Sequence, residues 1–159
     1  TRVDFLGEHK VKLDAKGRLR IPGSLKTKLN PDAAETFVIT RGFDGCLELY
    51  PMDVWKKVRA KLRSNFKKFD RKSRMVMRGF LNGATDLKLD SHDRVNVPNH
   101  LLDFAGIKGE VYLTPGEGTI EMWSVDRYDQ IQKEFLSENF ETDAQDVLGD
   151  INLFGDDEE

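Results

Sequence analysis

Val11 and Leu13 alternate with Lys10 and Lys12, the period-two pattern of a strand with one buried face. Asp14-Ala15-Lys16-Gly17 interrupts it as a type I turn, with Asp first and a Gly that tolerates positive φ. Leu19 and Ile21, separated by Arg20, predict a return strand. Pro22 ends that strand and suits the first turn of a short helix, which brings Leu25 and Leu29 onto one face. Phe37 to Thr40 predicts the next strand. A turn from Gly42 to Gly45 follows, and then a strand closing at Tyr50. Beyond Asp53, the residues Trp55, Val58, Leu62, Phe66 and Phe69 form an amphipathic helical stripe, and helix is expected to continue through Arg71 to Met77.

The pattern then starts again. Leu13-Asp14-Ala15-Lys16-Gly17-Arg18-Leu19-Arg20-Ile21-Pro22 returns 76 residues later as Leu89-Asp90-Ser91-His92-Asp93-Arg94-Val95-Asn96-Val97-Pro98. Gly7 falls on Gly83, Lys12 on Lys88 and Leu25 on Leu101. Gly45 to Tyr50 matches Gly118 to Trp123, and Asp53 matches Asp126. The second copy predicts strands around Leu87–Leu89, Val95–Val97 and Val111–Thr114, and a helix from Pro98 that stops at Gly106. A last helix carries Tyr128, Ile131 and Phe135. Two copies of one small sheet-rich unit are implied, each too small to bury its own surface. The fold class is therefore mainly β with flanking helices, in two pseudo-symmetric halves. With no flexible linker between them, the strands are expected to complete one barrel-like sheet without exposed edges. The divisions fall at 5–52 for the first unit, 53–80 for a connecting helical segment, 81–125 for the second unit, 126–136 for a helix and 137–159 for a tail.

Charge changes the picture. The net charge is −3, yet nine acidic residues and no Lys or Arg lie between Ser137 and Glu159. Positions 1–136 hold 25 basic and 19 acidic residues, a body of about +6 suited to a polyanionic partner. The acidic tail is expected either to be an inert extension or to compete for the basic loops, with Ile151, Leu153 and Phe154 as an apolar anchor. No run of about 18 apolar residues occurs, so no membrane helix or membrane partner is expected. The single Cys46 suits a reducing cytoplasm and reads as a small apolar strand residue. The chain begins without Met, so its natural start is expected upstream.

No catalytic constellation is visible. His9, His92 and His100 have no partners at metal-ligand spacing, and there is no phosphate loop, nucleophile elbow or dinucleotide fingerprint. Glu48 and Glu121 alternate with apolar neighbours on strands, which points to a solvent-facing or turn-bonding role. No catalytic residue, metal, cofactor or small-molecule substrate is expected. The Asp-x-x-Gly-Arg turn suits binding instead, because Arg18 carries a planar fork of donors that matches phosphate oxygens or the O6/N7 edge of guanine. Lys10, Lys12, Lys16 and Arg20 surround it, five cations in eleven residues opposed by Asp14 alone. Asp14 and Gly17 shape this turn, as Asp90 and Asp93 shape the second.

Phe5-Leu6-Gly7-Glu8-His9, Leu13 to Arg18, Arg41-Gly42-Phe43-Asp44-Gly45-Cys46-Leu47 with Tyr50-Pro51, and Gly83-Ala84-Thr85 together resemble the MraZ family of bacterial transcriptional regulators. The resemblance covers positions 5 to about 135 and leaves the tail unmatched. It implies a duplicated AbrB-like double-split β-barrel built from swapped hairpins, and chains assembled in a ring-like homo-oligomer. It also implies that the turn arginine contacts double-stranded DNA at short direct repeats, in the promoter of the division and cell-wall cluster containing the gene itself. The expected location is cytoplasmic and nucleoid-associated.

The second loop departs from this pattern. Asp93 stands where Gly is expected, His92 and Asn96 replace flanking cations, and a carboxylate is expected beside Arg94. Its DNA affinity should be reduced or absent, with Arg94 serving mainly in the turn. A competing reading is an AbrB-type interaction module, antitoxin-like, whose acidic tail binds a protein partner.

Overall fold

In the computed structural model, residues 4–149 are described. Two compact units divide at Val125 and Asp126. The first holds eight strands: β1 (His9–Lys12), β2 (Arg18–Arg20), β3 (Thr36–Arg41), β4 (Leu47–Pro51), β5 (Thr85–Lys88), β6 (Arg94–Asn96), β7 (Glu110–Pro115) and β8 (Ile120–Ser124). Its helices are α1 (Gly23–Lys26), α2 (Met52–Ser64), α3 (Arg71–Leu81) and α4 (Asn99–Ala105). Helices α5 (Val125–Phe135) and α6 (Phe140–Leu148) follow, so the acidic tail is helical as far as Leu148. The expected anchor residues Ile151, Leu153 and Phe154 lie outside the described residues. No helix among those described is long and apolar enough to cross a membrane.

The strands form a six-stranded antiparallel sheet, in the order β1-β7-β8-β4-β3-β5, and a separate two-stranded ribbon, β2-β6. The halves exchange strands. β1 pairs with β7 of the second half, setting His9 opposite Leu113, while β5 pairs with β3 of the first, setting Thr85 opposite Ile39. Equivalent residues face each other where the halves meet, Leu19 against Val95 in the ribbon and Glu48 against Glu121 in the sheet. A pseudo-twofold relation therefore passes through both pairs.

The expected return strand is thus no hairpin partner of β1. The two strands share one bridge, Leu13 to Leu19, and then diverge into different sheets. Nor does one closed sheet form: β1 and β5 remain edges. Both are four residues long and carry exposed charges, Lys10 and Lys12 on one and Asp86 and Lys88 on the other, which discourage further strand pairing.

Leu19 and Val95 turn inward from the ribbon into the same apolar cluster as Phe37, Ile39, Leu47, Leu49, Val111, Leu113, Ile120 and Met122 of the sheet. Leu25 and Leu101, placed by the helices after Pro22 and Pro98, join this cluster. Gly106 ends α4 in the left-handed conformation expected of it.

The long helical stripe is interrupted. Asn65 closes α2, its side-chain amide donating to the Lys61 carbonyl at 2.8 Å, and Asp70 caps α3 by accepting from the Lys72 amide at 3.1 Å. Phe66 and Phe69 fall in the connection between them, where Phe69 is 95% exposed. No residue of α2 or α3 is fully buried.

Because Leu19 is wholly enclosed, Leu19→Ala should cost about 2–5 kcal/mol. Val95→Ala should be destabilising as well, and the double variant should be non-additive if the two residues act as one contact. Denaturant unfolding followed by circular dichroism measures all three. A loss at Leu19 below about 0.5 kcal/mol, the scale of an ordinary surface substitution, would contradict the central place of the ribbon pair.

Candidate nucleic-acid interface

Asp14 builds the first loop. Its Oδ1 accepts from the backbone amides of Lys16 and Arg18, both at 2.9 Å, and its Oδ2 accepts from Arg18 Nε at 2.6 Å. The Gly17 amide donates to the Asp14 carbonyl at 3.0 Å, and Gly17 takes a φ of +76°, where a side chain would be strained. The Arg18 amide, above all, holds the Asp14 carboxyl below its ordinary value. A turn that aligns donors on one carboxylate thereby also orients the guanidinium. The ion pair uses Nε, leaving the two terminal nitrogens as a fork for an outside acceptor.

The second loop repeats this geometry. Asp90 Oδ1 accepts from the amides of His92 and Arg94 at 2.8 and 2.9 Å, and Oδ2 accepts from Arg94 Nε at 2.9 Å. The Arg94 amide is the main reason its carboxyl is held down to about 2. Asp93 occupies the left-handed position with a φ of +61°, tolerated by Asp better than by most residues. Its carboxylate does not lie against Arg94 as expected. Asp93 accepts from Lys26 Nζ of the first half at 2.7 Å, which raises the lysine's pKa. The position equivalent to Lys26 is Leu102, whose methyl carbon would lie 3.7 Å from a Cβ placed on Gly17. Glycine beside leucine in one half is thus replaced by aspartate beside lysine in the other. The sequence reading missed Lys26, although the repeat alignment sets it against Leu102.

The ribbon brings the loops together. Arg18 stands opposite Asn96 and Arg20 opposite Arg94, so the turns lie at opposite ends of β2-β6. Residues alternate across a strand, so Arg18, Arg20, Arg94 and Asn96 share the outer face behind which Leu19 and Val95 are buried. Each loop also bonds the other half: the Val97 amide donates to the Gly17 carbonyl at 3.1 Å, and the Ile21 amide to the Asp93 carbonyl at 2.9 Å.

The five expected cations are divided between sheets. Lys16, Arg18 and Arg20 belong to the loop and ribbon, while Lys10 and Lys12 lie on β1 at the edge of the larger sheet. Lys10 is partly neutralised by Glu110, 3.6 Å away, and lies over the Tyr112 ring. The largest cation cluster lies elsewhere. Positions 52–82, which include α2 and α3, hold eleven Lys and Arg against two Asp. A charge count by segment would have found it.

The carboxylates at the centre of the sheet are engaged structurally. Glu48 accepts from the Thr119 hydroxyl at 2.7 Å and the Tyr50 hydroxyl at 3.2 Å, and Glu121 accepts from the Trp123 indole N–H at 3.2 Å. Burial pushes Glu121 upward. Both are half-buried, so the turn-bonding expectation suits Glu48 and the solvent-facing one suits neither. Burial, with the charges of Glu121 and Glu48, pushes the Cys46 thiol up to about 12, which leaves it without thiolate character at neutral pH. Among the described residues no group of His, Cys, Asp and Glu is arranged to hold a metal.

The family model described as "MraZ protein, putative antitoxin-like" matches residues 5–79 and again 80–151. The match extends beyond position 135, where the resemblance read from the sequence stopped. A protein of Christiangramia forsetii named transcriptional regulator MraZ is 35% identical over 154 residues, covering 96% of this chain and 98% of its own. One of the same name from Natranaerobius thermophilus is 34% identical over 145 residues, covering 91% and 96%. These relatives are named as regulators and not as enzymes. The duplication, the mainly β fold and these matches over nearly the whole length agree: the chain belongs to the MraZ family.

Proposed function

We propose that the chain is a cofactor-free, sequence-specific DNA-binding regulator of transcription, which reads short direct repeats as a ring-like homo-oligomer. The proposed operator lies in the promoter of the division and cell-wall cluster that contains its own gene, and the proposed location is the cytoplasmic nucleoid. The observation that carries this reading is the ribbon face, where two carboxylate-locked turns hold Arg18 and Arg94 beside Arg20. Guanidinium groups fixed on a rigid strand lose less conformational freedom on binding than mobile ones, and their open forks suit guanine edges or phosphates. One ribbon offers few contacts, so several copies in register supply the affinity for repeats.

The loops are unequal in charge. In the second, Asp90 offsets Arg94 and Asp93 offsets Lys26. In the first, Asp14 offsets Arg18 while exposed Lys16, whose counterpart in the second loop is His92, remains in excess; Arg20 stands opposite Arg94, at the far end of the ribbon. The first loop is therefore the stronger contact and the second a weaker one.

Arg18→Ala should lower operator affinity by about 1–3 kcal/mol per chain contact and leave the fold intact. Arg94→Ala should cost less. Lys16→Ala should weaken binding evenly across sequences and lower the salt slope by about one. Mobility shifts in a salt series read all three, and a folded Arg18→Ala protein with full operator affinity would sink the assignment.

Lys26→Ala frees the Asp93 carboxylate and should weaken DNA binding, most at low ionic strength. Adding Asp93→Gly should restore it. If the double variant stays as weak as Lys26→Ala, the neutralising role of Lys26 is wrong.

Asp14 and Asp90 titrate below their unfolded values, so their stabilisation of the loops is present above the unfolded pKa. It is lost as pH falls through the folded one, about 2 for Asp90. The Nε–H resonances of Arg18 and Arg94 should stay protected at pH 4. Exchange-broadening of both at that pH in a folded protein would contradict the carboxylate lock.

A further inference from the structure

The helices α2 and α3 enclose an apolar groove floored by Val58, Leu62, Phe66, Val76 and Met77, with Lys61 and Lys72 at its rim. It continues past Lys68, Arg74 and Arg78. Val76 is 54% exposed and Phe66 38%. A phosphate backbone would satisfy the rim but leave this floor in water. The better match is an acidic helix with an apolar stripe.

Helix α6 has that chemistry. Phe140, Ala144, Val147 and Leu148 fall along one face at helical spacing, with Glu141 on one side of the stripe and Asp143 on the other. Asp146 adds a third acid, and the helix has no Lys or Arg. Phe140 is 56% exposed and Val147 is 80% exposed, so the stripe and the groove are each open within the unit that carries them.

We propose that the groove between α2 and α3 receives helix α6 of a second copy of this chain. The inference rests on the self-association reading above and names its interface. A C-terminal helix of one copy seated on the middle of the next is a head-to-tail contact, which closes into a ring when the rotation per copy permits. Acid on base at the rim sets the register, and burial of the stripe supplies most of the attraction.

The test uses full-length protein, with Val76→Cys in one tagged copy and Val147→Cys in a differently tagged copy, co-expressed and mildly oxidised. Both positions are exposed, and native Cys46 is buried with a raised pKa and stays silent. A disulfide-linked dimer carrying both tags is expected. Its yield should fall severalfold when Glu141→Lys and Asp143→Lys accompany Val147→Cys. An oligomer by light scattering without that cross-link would overturn the interface and spare self-association. A species of 18.2 kDa alone would overturn both. A third variant carries Val76→Cys and Val147→Cys in one chain; cross-linking in it alone, within the chain, would overturn the interface and assign the groove to the chain's own helix. DNA binding lost on Lys72→Glu and Arg74→Glu, with no cross-link formed to α6, would assign it to nucleic acid.

Discussion

The exchange of strands between the two halves is the constraint on which the rest depends. β1 has its backbone partners in β7, and β5 has its partners in β3, so neither half satisfies its own ladder. Backbone groups left unpaired in a buried sheet are costly, which makes the duplicated chain the smallest unit that closes. The exchange also releases β2 and β6 from their neighbours in sequence, to pair with one another across the pseudo-twofold. Two turns that begin as equivalent stretches of sequence are thereby fixed at the ends of one short ribbon. A simple duplication without exchange would leave them on separate hairpins, free to move independently.

Within that frame one carboxylate does two things in each loop. Asp14 and Asp90 gather backbone amides that a tight turn would otherwise leave without protein partners, and the second oxygen of each fixes the Nε of an arginine four residues on. The arginine becomes part of the turn without surrendering its terminal donors. Symmetry breaks at the glycine position of the turn and not in the pairing of Asp with Arg. Gly17 faces Leu102, whereas Asp93 faces Lys26, and the added charge is neutralised from the other half. The ion pair is half-exposed and contributes little to stability. Its consequence is electrostatic, since it keeps a second carboxylate from bearing on the arginine face.

Much of this was legible in the sequence because it rests on local spacing. Period-two alternation located the strands, Pro22 and Pro98 located the helix starts, and Asp, Gly and Arg at fixed offsets located the turns. Strand pairing was not legible, because alternation shows which face of a strand is buried and not which strand lies beside it. Hence β2 read as the hairpin partner of β1, and the sheet as closed. The break between α2 and α3 escaped for a related reason. Phe66 and Phe69 continue the helical spacing of Trp55, Val58 and Leu62, while the capping groups of Asn65 and Asp70 decide where helix ends and begins. The carboxylate of Asp93 was referred to its sequence neighbour because its true partner lies 67 positions away.

The distribution of charge ties the ribbon to the assembly. Positions 52–82 carry a net of +9 and positions 137–159 a net of −9, while everything else carries 14 basic and 17 acidic residues. The positive body therefore owes its sign to the helical segment and not to the ribbon. A free chain would attract any polyanion through α2 and α3, indifferent to sequence. If an acidic helix of the next copy covers that segment as proposed, its three carboxylates offset part of this indiscriminate charge, while Lys16 of the first loop and Arg20 of the ribbon stay beside the held Arg18. On the proposed reading assembly would raise specificity by a subtraction: some contacts that carry no sequence information would be hidden, while the ribbon faces would repeat from copy to copy. Selectivity for repeated sites would then belong to the assembled form, and a lone chain would hold DNA through contacts indifferent to its sequence.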